Sequence, residues 1–161
     1  MGVEIERKFL VKHDLWSKVK PQKSILIKQA YLFSDLTKTI RLRIADDKGF
    51  ITIKGPTKGI SRSEFEYEIP VADADKMINE FKTQVIEKIR HHVLFGNDLW
   101  EVDEFKGNNA GLIVAEIELD DAGQKIKLPE WIDSEVSDDR RYANSNLILK
   151  PFRQWEENNK K

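Results

Sequence analysis

The sequence is dominated by short segments in which every second residue is charged and the residues between are apolar. "VEIERKFLV" (residues 3–11) sets the pattern, with Glu4, Glu6 and Lys8 alternating with Val3, Ile5, Phe9 and Val11. Side chains at i and i+2 share one face of a strand. The same rule groups Arg41 with Arg43, Thr52 with Lys54, Arg62 with Glu64 and Glu66, Lys88 with Arg90, Glu101 with Asp103, and Glu116 with Glu118. Ile5, Leu42, Ile53, Phe65, Ile89, Val102 and Ile117 fall between them, on the opposite face. A charged face on one strand is ordinarily a solvated surface. Recurrence in nearly every strand is different, because adjacent like charges on one face cost stability. Two carboxylates about 7 Å apart on one strand face invite a divalent cation, and paired Arg and Lys invite an anion with several oxygens. A sheet closed with these faces inward is a charged tunnel, and its apolar outside must be covered by helices or by another subunit.

The rest of the chain fits one domain. Its 161 residues are enough for a sizeable core. Extended segments are expected at 24–33, 38–45, 50–55, 61–70, 84–95, 98–106 and 112–119, with "DDKG" as a hairpin turn and "FGND" and "GNNAG" as breaks. "KHDLWSKV" reads as a short helix or turn. "VADADKMINEFK" changes to helical spacing, with Asp73 the expected N-cap. After Pro129 the sequence suggests short helical pieces and one more extended run, "NLILK". Residues 1–155 are expected to form a single domain, and 156–161 a disordered tail.

Charge narrows the function. Charged residues make up 34% of the chain, yet the net charge is −1, which argues against nucleic-acid attraction and a polybasic membrane anchor. The chain has no cysteine, so disulfides and thiolate metal sites are excluded. No apolar run is long enough to cross a bilayer as a helix and no signal-peptide pattern opens the sequence, so a soluble, cytoplasmic protein is expected. "GPTKGIS" lacks P-loop spacing. His91 and His92 face opposite sides of a strand and cannot share a metal. Trp16, Trp100, Trp131 and Trp155 show no base-stacking pattern and read as packing residues.

"EIERKFL", followed in order by "QAYL", "RLR", "TIKG", "SRSEFE", "EKIR", "EVDEF" and "AEIEL", closely resembles the CYTH superfamily of triphosphate tunnel metalloenzymes, from Glu4 to about Asn144. "DDRRYAN" is similar to the family's helix-leading motif. The resemblance implies an α+β fold, an eight-stranded antiparallel β-barrel with a few covering helices, whose lumen binds a linear triphosphate with Mg²⁺ or Mn²⁺. It implies metal ligation by Glu4 and Glu6 and a phosphate contact at Lys8. Asp103, Glu116 and Glu118 complete the candidate ligands, since hard cations prefer oxygen. Glu64 and Glu66 are candidates to hold a second ion or orient water. Lys8, Arg41, Arg43, Lys54, Arg62, Lys88 and Arg90 are candidates to grip phosphate oxygens, with Arg141 a candidate at the tunnel mouth. Tyr31 is expected near Lys88, where it would position water or a phosphate oxygen.

Three functions stay open on the sequence. The first is hydrolysis of inorganic tripolyphosphate, favoured because no base-reading element is visible. The second is a nucleotide enzyme, either an NTPase or a class IV-type adenylate cyclase, with ATP or thiamine triphosphate as further family substrates. The third is a noncatalytic polyphosphate-binding module, disfavoured because anion binding alone needs few acids. The apolar outer strand faces are compatible with a homodimer.

Overall fold

The computed structural model describes residues 2–81 and 83–159. Nine strands account for most of the chain: β1 (Gly2–Val11), β2 (Lys23–Ser34), β3 (Thr39–Ala45), β4 (Lys48–Lys54), β5 (Ser61–Ile69), β6 (Val85–Phe95), β7 (Asp98–Phe105), β8 (Ile113–Glu118) and β9 (Ile132–Glu135). The first eight pair in the order β5-β4-β3-β2-β6-β7-β8-β1 and close through β1–β5, all antiparallel, giving the expected eight-stranded barrel. β1 is long enough to serve two partners along one edge. Gly2–Ile5 pair with β5, and Phe9–Val11 pair with β9. Between β3 and β4 the two-residue turn Asp46-Asp47 places Asp46 at φ 52°, a conformation that Asp tolerates better than most residues.

The helices are α1 (His13–Trp16), α2 (Val71–Glu80), α3 (Asn144–Leu149) and α4 (Phe152–Asn159). None is long and apolar enough to cross a membrane, among the described residues. Two local expectations are corrected. Pro70, not Asp73, is the N-cap of α2, and Asp73 sits in the first turn, where its charge favours the positive end of the helix dipole. "NLILK" is helical and belongs to α3, while the late strand is "IDSE" of β9. Leu147 is fully buried beneath the barrel, and a helix presents it there with Tyr142. α4 continues through residues 156–159 of the segment expected to be disordered; Lys160 and Lys161 lie outside the described residues.

Much of the apolar core lies outside the barrel wall. Phe9, Val93, Trp100, Val102, Ala115 and Ile117 face outward and are covered by Trp16 of α1, Trp131 and Ile132. Trp100 meets Phe9 and Trp131 edge to face, at 5.6 and 5.9 Å between ring centroids. On the other side, α2 buries Ala74 and Ile78 over β2–β4. At the base, Ile86, Phe105, Leu112 and Val114 pack with Tyr142 and Leu147, so the C-terminal segment seals that end. Hydrogen bonds hold the segment to β1: Val136 N–H donates to the Lys8 carbonyl (2.8 Å), and Lys8 N–H to the Ser137 side-chain Oγ (2.9 Å).

Gly49 shows how closely α2 is seated. A Cβ there would lie 3.0 Å from the Ile69 carbonyl oxygen and 3.2 Å from both Ala74 Cβ and Val71 Cα, two of them backbone atoms that cannot turn aside. Gly49→Ala is therefore expected to lower unfolding free energy by about 1–3 kcal/mol, as overpacking does. Chemical denaturation would measure it. A neutral or stabilising result would show that α2 sits more loosely than described.

Candidate active site

Closing the barrel turns the charged face of each strand into one lumen. Nineteen residues line its cavity of about 260 Å³. Seven are acidic (Glu4, Glu6, Glu64, Glu66, Glu101, Glu116 and Glu118) and seven basic (Lys8, Arg41, Arg43, Lys54, Arg62, Lys88 and Arg90). Tyr31, Thr39, Ala143, Asn144 and Ser145 complete it. Antiparallel register does the sorting, setting Glu4 opposite Arg62, Glu6 opposite Glu118, Lys8 opposite Glu116, and Lys54 opposite Glu64.

The acids gather on one side. Glu4, Glu64 and Glu118 each offer a carboxylate oxygen within 4.8 Å of the others. Burial and the neighbouring Glu4 charge push Glu64 and Glu118 up from the usual carboxylate range. Glu6 lies well above that range because of burial and the charges of Glu116 and Glu4. Glu4 itself is held down at about 2: burial would raise it, but Lys54, 2.9 Å away, outweighs that. This donor set is all oxygen and short of positive charge, which fits a hard divalent cation.

Cations without carboxylate partners crowd the remaining wall. Among the described residues, Lys8, Arg43 and Arg62 have no carboxylate within 4.0 Å. Arg62 donates to the Gly55 carbonyl (3.0 Å) instead. Burial, with the Arg41 and Arg90 charges, brings Arg43 down to about 9. Arg41 is 5% exposed, and its buried Nε has no hydrogen-bond partner. Its Nη2 donates to Thr52 Oγ1 (3.1 Å), which in turn donates to Glu66 (3.0 Å). A buried donor without an acceptor is costly, and a polyoxyanion in the lumen would supply one.

Two sequence candidates lie elsewhere. Asp103 is fully buried and does not join the acidic group. It takes two hydrogen bonds from Arg90 (2.8 and 3.0 Å) and an ion pair from Lys88 (2.8 Å). Burial would raise Asp103, but the two cations hold it well below the usual range. Lys88 is brought down to about 7, by burial first, with Arg90 and Arg43 adding to it and Asp103 opposing. Arg141 is outside the cavity, paired with Asp139 at 2.7 Å and lying over the Trp155 ring.

The sequence placed Thr52 and Glu101 on inward strand faces without giving them a role, and Gln29 and Asn144 were missed as parts of this network. Gln29 was findable, since it shares a strand face with Tyr31. Asn144 had no such signal, because it reaches the lumen from α3. His91 points outward, against Trp16 and Ser24, in keeping with a structural role.

The comparisons agree with this architecture. The chain is 46% identical over 158 residues to an inorganic triphosphatase of Acetivibrio thermocellus, covering 98% of this chain and 100% of that protein. It is 33% identical to an inorganic triphosphatase of Nitrosomonas europaea, covering 91% and 97%. The solved structure of an inorganic triphosphatase aligns with a TM-score of 0.63 at 30% identity, over 92% of this chain and 96% of the other. A Pyrococcus horikoshii protein at 20% identity and TM-score 0.55 shares the fold, over 74% and 80%. The CYTH domain matches residues 2–146, and the chain belongs to that family.

Proposed function

We propose that the lumen is a divalent-metal-dependent triphosphatase site that hydrolyses the terminal phosphoanhydride of inorganic tripolyphosphate. The observation that carries this reading is the lining itself: seven acids and seven bases around one cavity, with a carboxylate trio beside cations that have no carboxylate of their own. The relatives named inorganic triphosphatase support it.

Glu4, Glu64 and Glu118 would hold Mg²⁺ or Mn²⁺, with Glu6 and Glu116 beside them. Such an ion supplies charge neutralisation at the phosphates and acidification of water. Arg41, Arg43, Arg62 and Lys8 would bind the phosphate oxygens, Arg by forked contacts and Lys as a point charge. Lys54 is tied to Glu4 in the free protein and is within the same cavity to reach phosphate. In the reaction a water oxygen bonds to the terminal phosphorus as the bridging P–O bond breaks, releasing orthophosphate and pyrophosphate. Lys88, whose pKa burial brings down to about 7, is suited in its deprotonated form to take the water's proton, with Tyr31 orienting the nucleophile. Asp103 is better read as a holder of Lys88 and Arg90 than as a metal ligand, because both cations already occupy its oxygens. Among the described residues Tyr31 is the single aromatic in the lining, so a nucleobase has little to stack on.

Glu118→Gln and Glu4→Gln should each lower tripolyphosphate turnover at least about a hundredfold, equivalent to about 2.7 kcal/mol of transition-state stabilisation. Chelation of divalent cations should abolish activity in the unmodified protein. Phosphate release from a panel of tripolyphosphate, pyrophosphate, ATP and thiamine triphosphate, with cyclic AMP followed in parallel, decides the substrate. Tripolyphosphate should give the highest kcat/KM, and a tenfold advantage for ATP would move the assignment to a nucleotide enzyme.

The buried triad contributes to the acid stability, alongside Glu4. The Asp103 pKa is depressed on folding, so the stability it contributes is fully present above the ordinary value of 3.8 and is lost as pH falls below it. Asp103→Asn should destabilise the protein by about 3–5 kcal/mol near neutrality, because Arg90 and Lys88 lose their shared partner in a dry site. It should also flatten the fall in stability below pH 4, measured by denaturation across pH. An unchanged acid limb would rule out Asp103 as its source.

A further inference from the structure

Lys88 is 1% exposed, and one of its two hydrogen-bonding or ionic partners comes from outside the barrel wall. Asn144, the first residue of α3, accepts from Lys88 Nζ through Oδ1 at 2.8 Å. The same oxygen accepts from Gln29 Nε2 at 3.1 Å. Gln29, fully buried, also donates to the Tyr31 hydroxyl (3.0 Å) and accepts from Arg43 Nε (3.2 Å). The amide orientations follow from chemistry. Arg43 offers only donors, so Gln29 must turn its oxygen to Arg43, and Asn144 then turns its oxygen to accept from Gln29 and Lys88. That leaves the Gln29 NH₂ facing Asn144 and Tyr31, two acceptors. Each group finds a complementary partner in this arrangement.

Neither amide has a charge with which to hold a metal or a polyanion. The Asn144 side chain does not cap α3 either; Ala143 is the N-cap, and no side-chain capping bond is made. Its oxygen instead joins Lys88 on β6 to Gln29 on β2, and Gln29 in turn bonds Tyr31, so two groups assigned to the reaction on different strands are linked through the pair of amides. The C-terminal segment that carries Asn144 is seated independently, through Tyr142 and Leu147 in the apolar base.

We propose that Asn144, acting with Gln29, is a positioning residue that fixes Lys88 and Tyr31 relative to each other, so that the reactive geometry of the lumen depends on docking of the C-terminal segment. This rests on the triphosphatase reading of the lumen.

The test uses the full-length protein with Asn144→Ala, which removes the acceptor, and Asn144→Asp, which keeps it. With tripolyphosphate and Mg²⁺, Asn144→Ala should lower kcat about ten- to a hundredfold while KM changes by less than about threefold, the signature of misplacement rather than lost binding. Asn144→Asp should recover most of kcat, and the thermal midpoint of Asn144→Ala should stay near that of the parent. A second readout needs no turnover. In ligand-free protein with ¹³C-labelled lysine, the Lys88 Cε resonance, assigned through Lys88→Arg, should shift in Asn144→Ala. Undiminished kcat in Asn144→Ala overturns the proposal. So does a joint fall of kcat and thermal midpoint with an unmoved Lys88 resonance. If the unmodified protein fails to hydrolyse tripolyphosphate, the triphosphatase reading falls. The Lys88 resonance then still decides the positioning role: a shift supports it and no shift overturns it.

Discussion

Ions drawn from water into a barrel must be compensated inside it, and the structure depends on how that is done. Desolvation costs several kcal/mol per ion, so a lumen of fourteen charged residues is tolerable only with near balance and good geometry. The Asp103–Arg90–Lys88 triad satisfies this within the protein, through short bonds between fully or nearly buried groups. The acidic trio and the cations without carboxylate partners do not. Apart from the Glu4–Lys54 pair each side lacks counter-charge, and a metal–polyphosphate complex carries both kinds. The unfinished part of the electrostatics is the part that points to a ligand.

This demand also explains where the apolar core sits. With alternate residues committed to a polar lumen, the residues between must face outward and find cover. α1, the segment around Trp131 and α2 provide it for β1–β4 and β6–β8. The C-terminal segment has two roles, sealing the apolar base with Tyr142 and Leu147 and sending Asn144 into the polar network above it. Packing and site geometry are thereby joined in a few residues. A loss of seating at Leu147 would be felt at Lys88.

The strands were legible in the sequence because strand periodicity is local, while their closure into a barrel was implied by the CYTH motifs. Eight of the nine strands, the inward charged faces, and the acids and bases that line the cavity all follow from which residues alternate with which. Local pattern could not separate the roles of the charges. Asp103 and Glu101 share a face and a spacing, yet Asp103 is enclosed by Arg90 and Lys88 while Glu101 reaches the cavity. That difference arises from depth along the barrel and from pairing across β6 and β7. Arg141, within the motif "DDRRYAN", is a candidate for the tunnel mouth on the sequence, but Asp139 two residues away satisfies it first.

The C-terminal segment marks the boundary most clearly. "NLILK" has the composition of a buried strand or a buried helix, and a short apolar run does not decide between them. Tertiary structure chose the helix, because the barrel base needed Leu147 inward while the polar network took Asn144. The sequence by itself determined strands with one charged and one apolar face, since alternation leaves a strand only two faces, and closure was implied by the resemblance to the CYTH family. Which charges neutralise one another, and which are left for a ligand, was decided only when distant strands and the last helices came within hydrogen-bond reach.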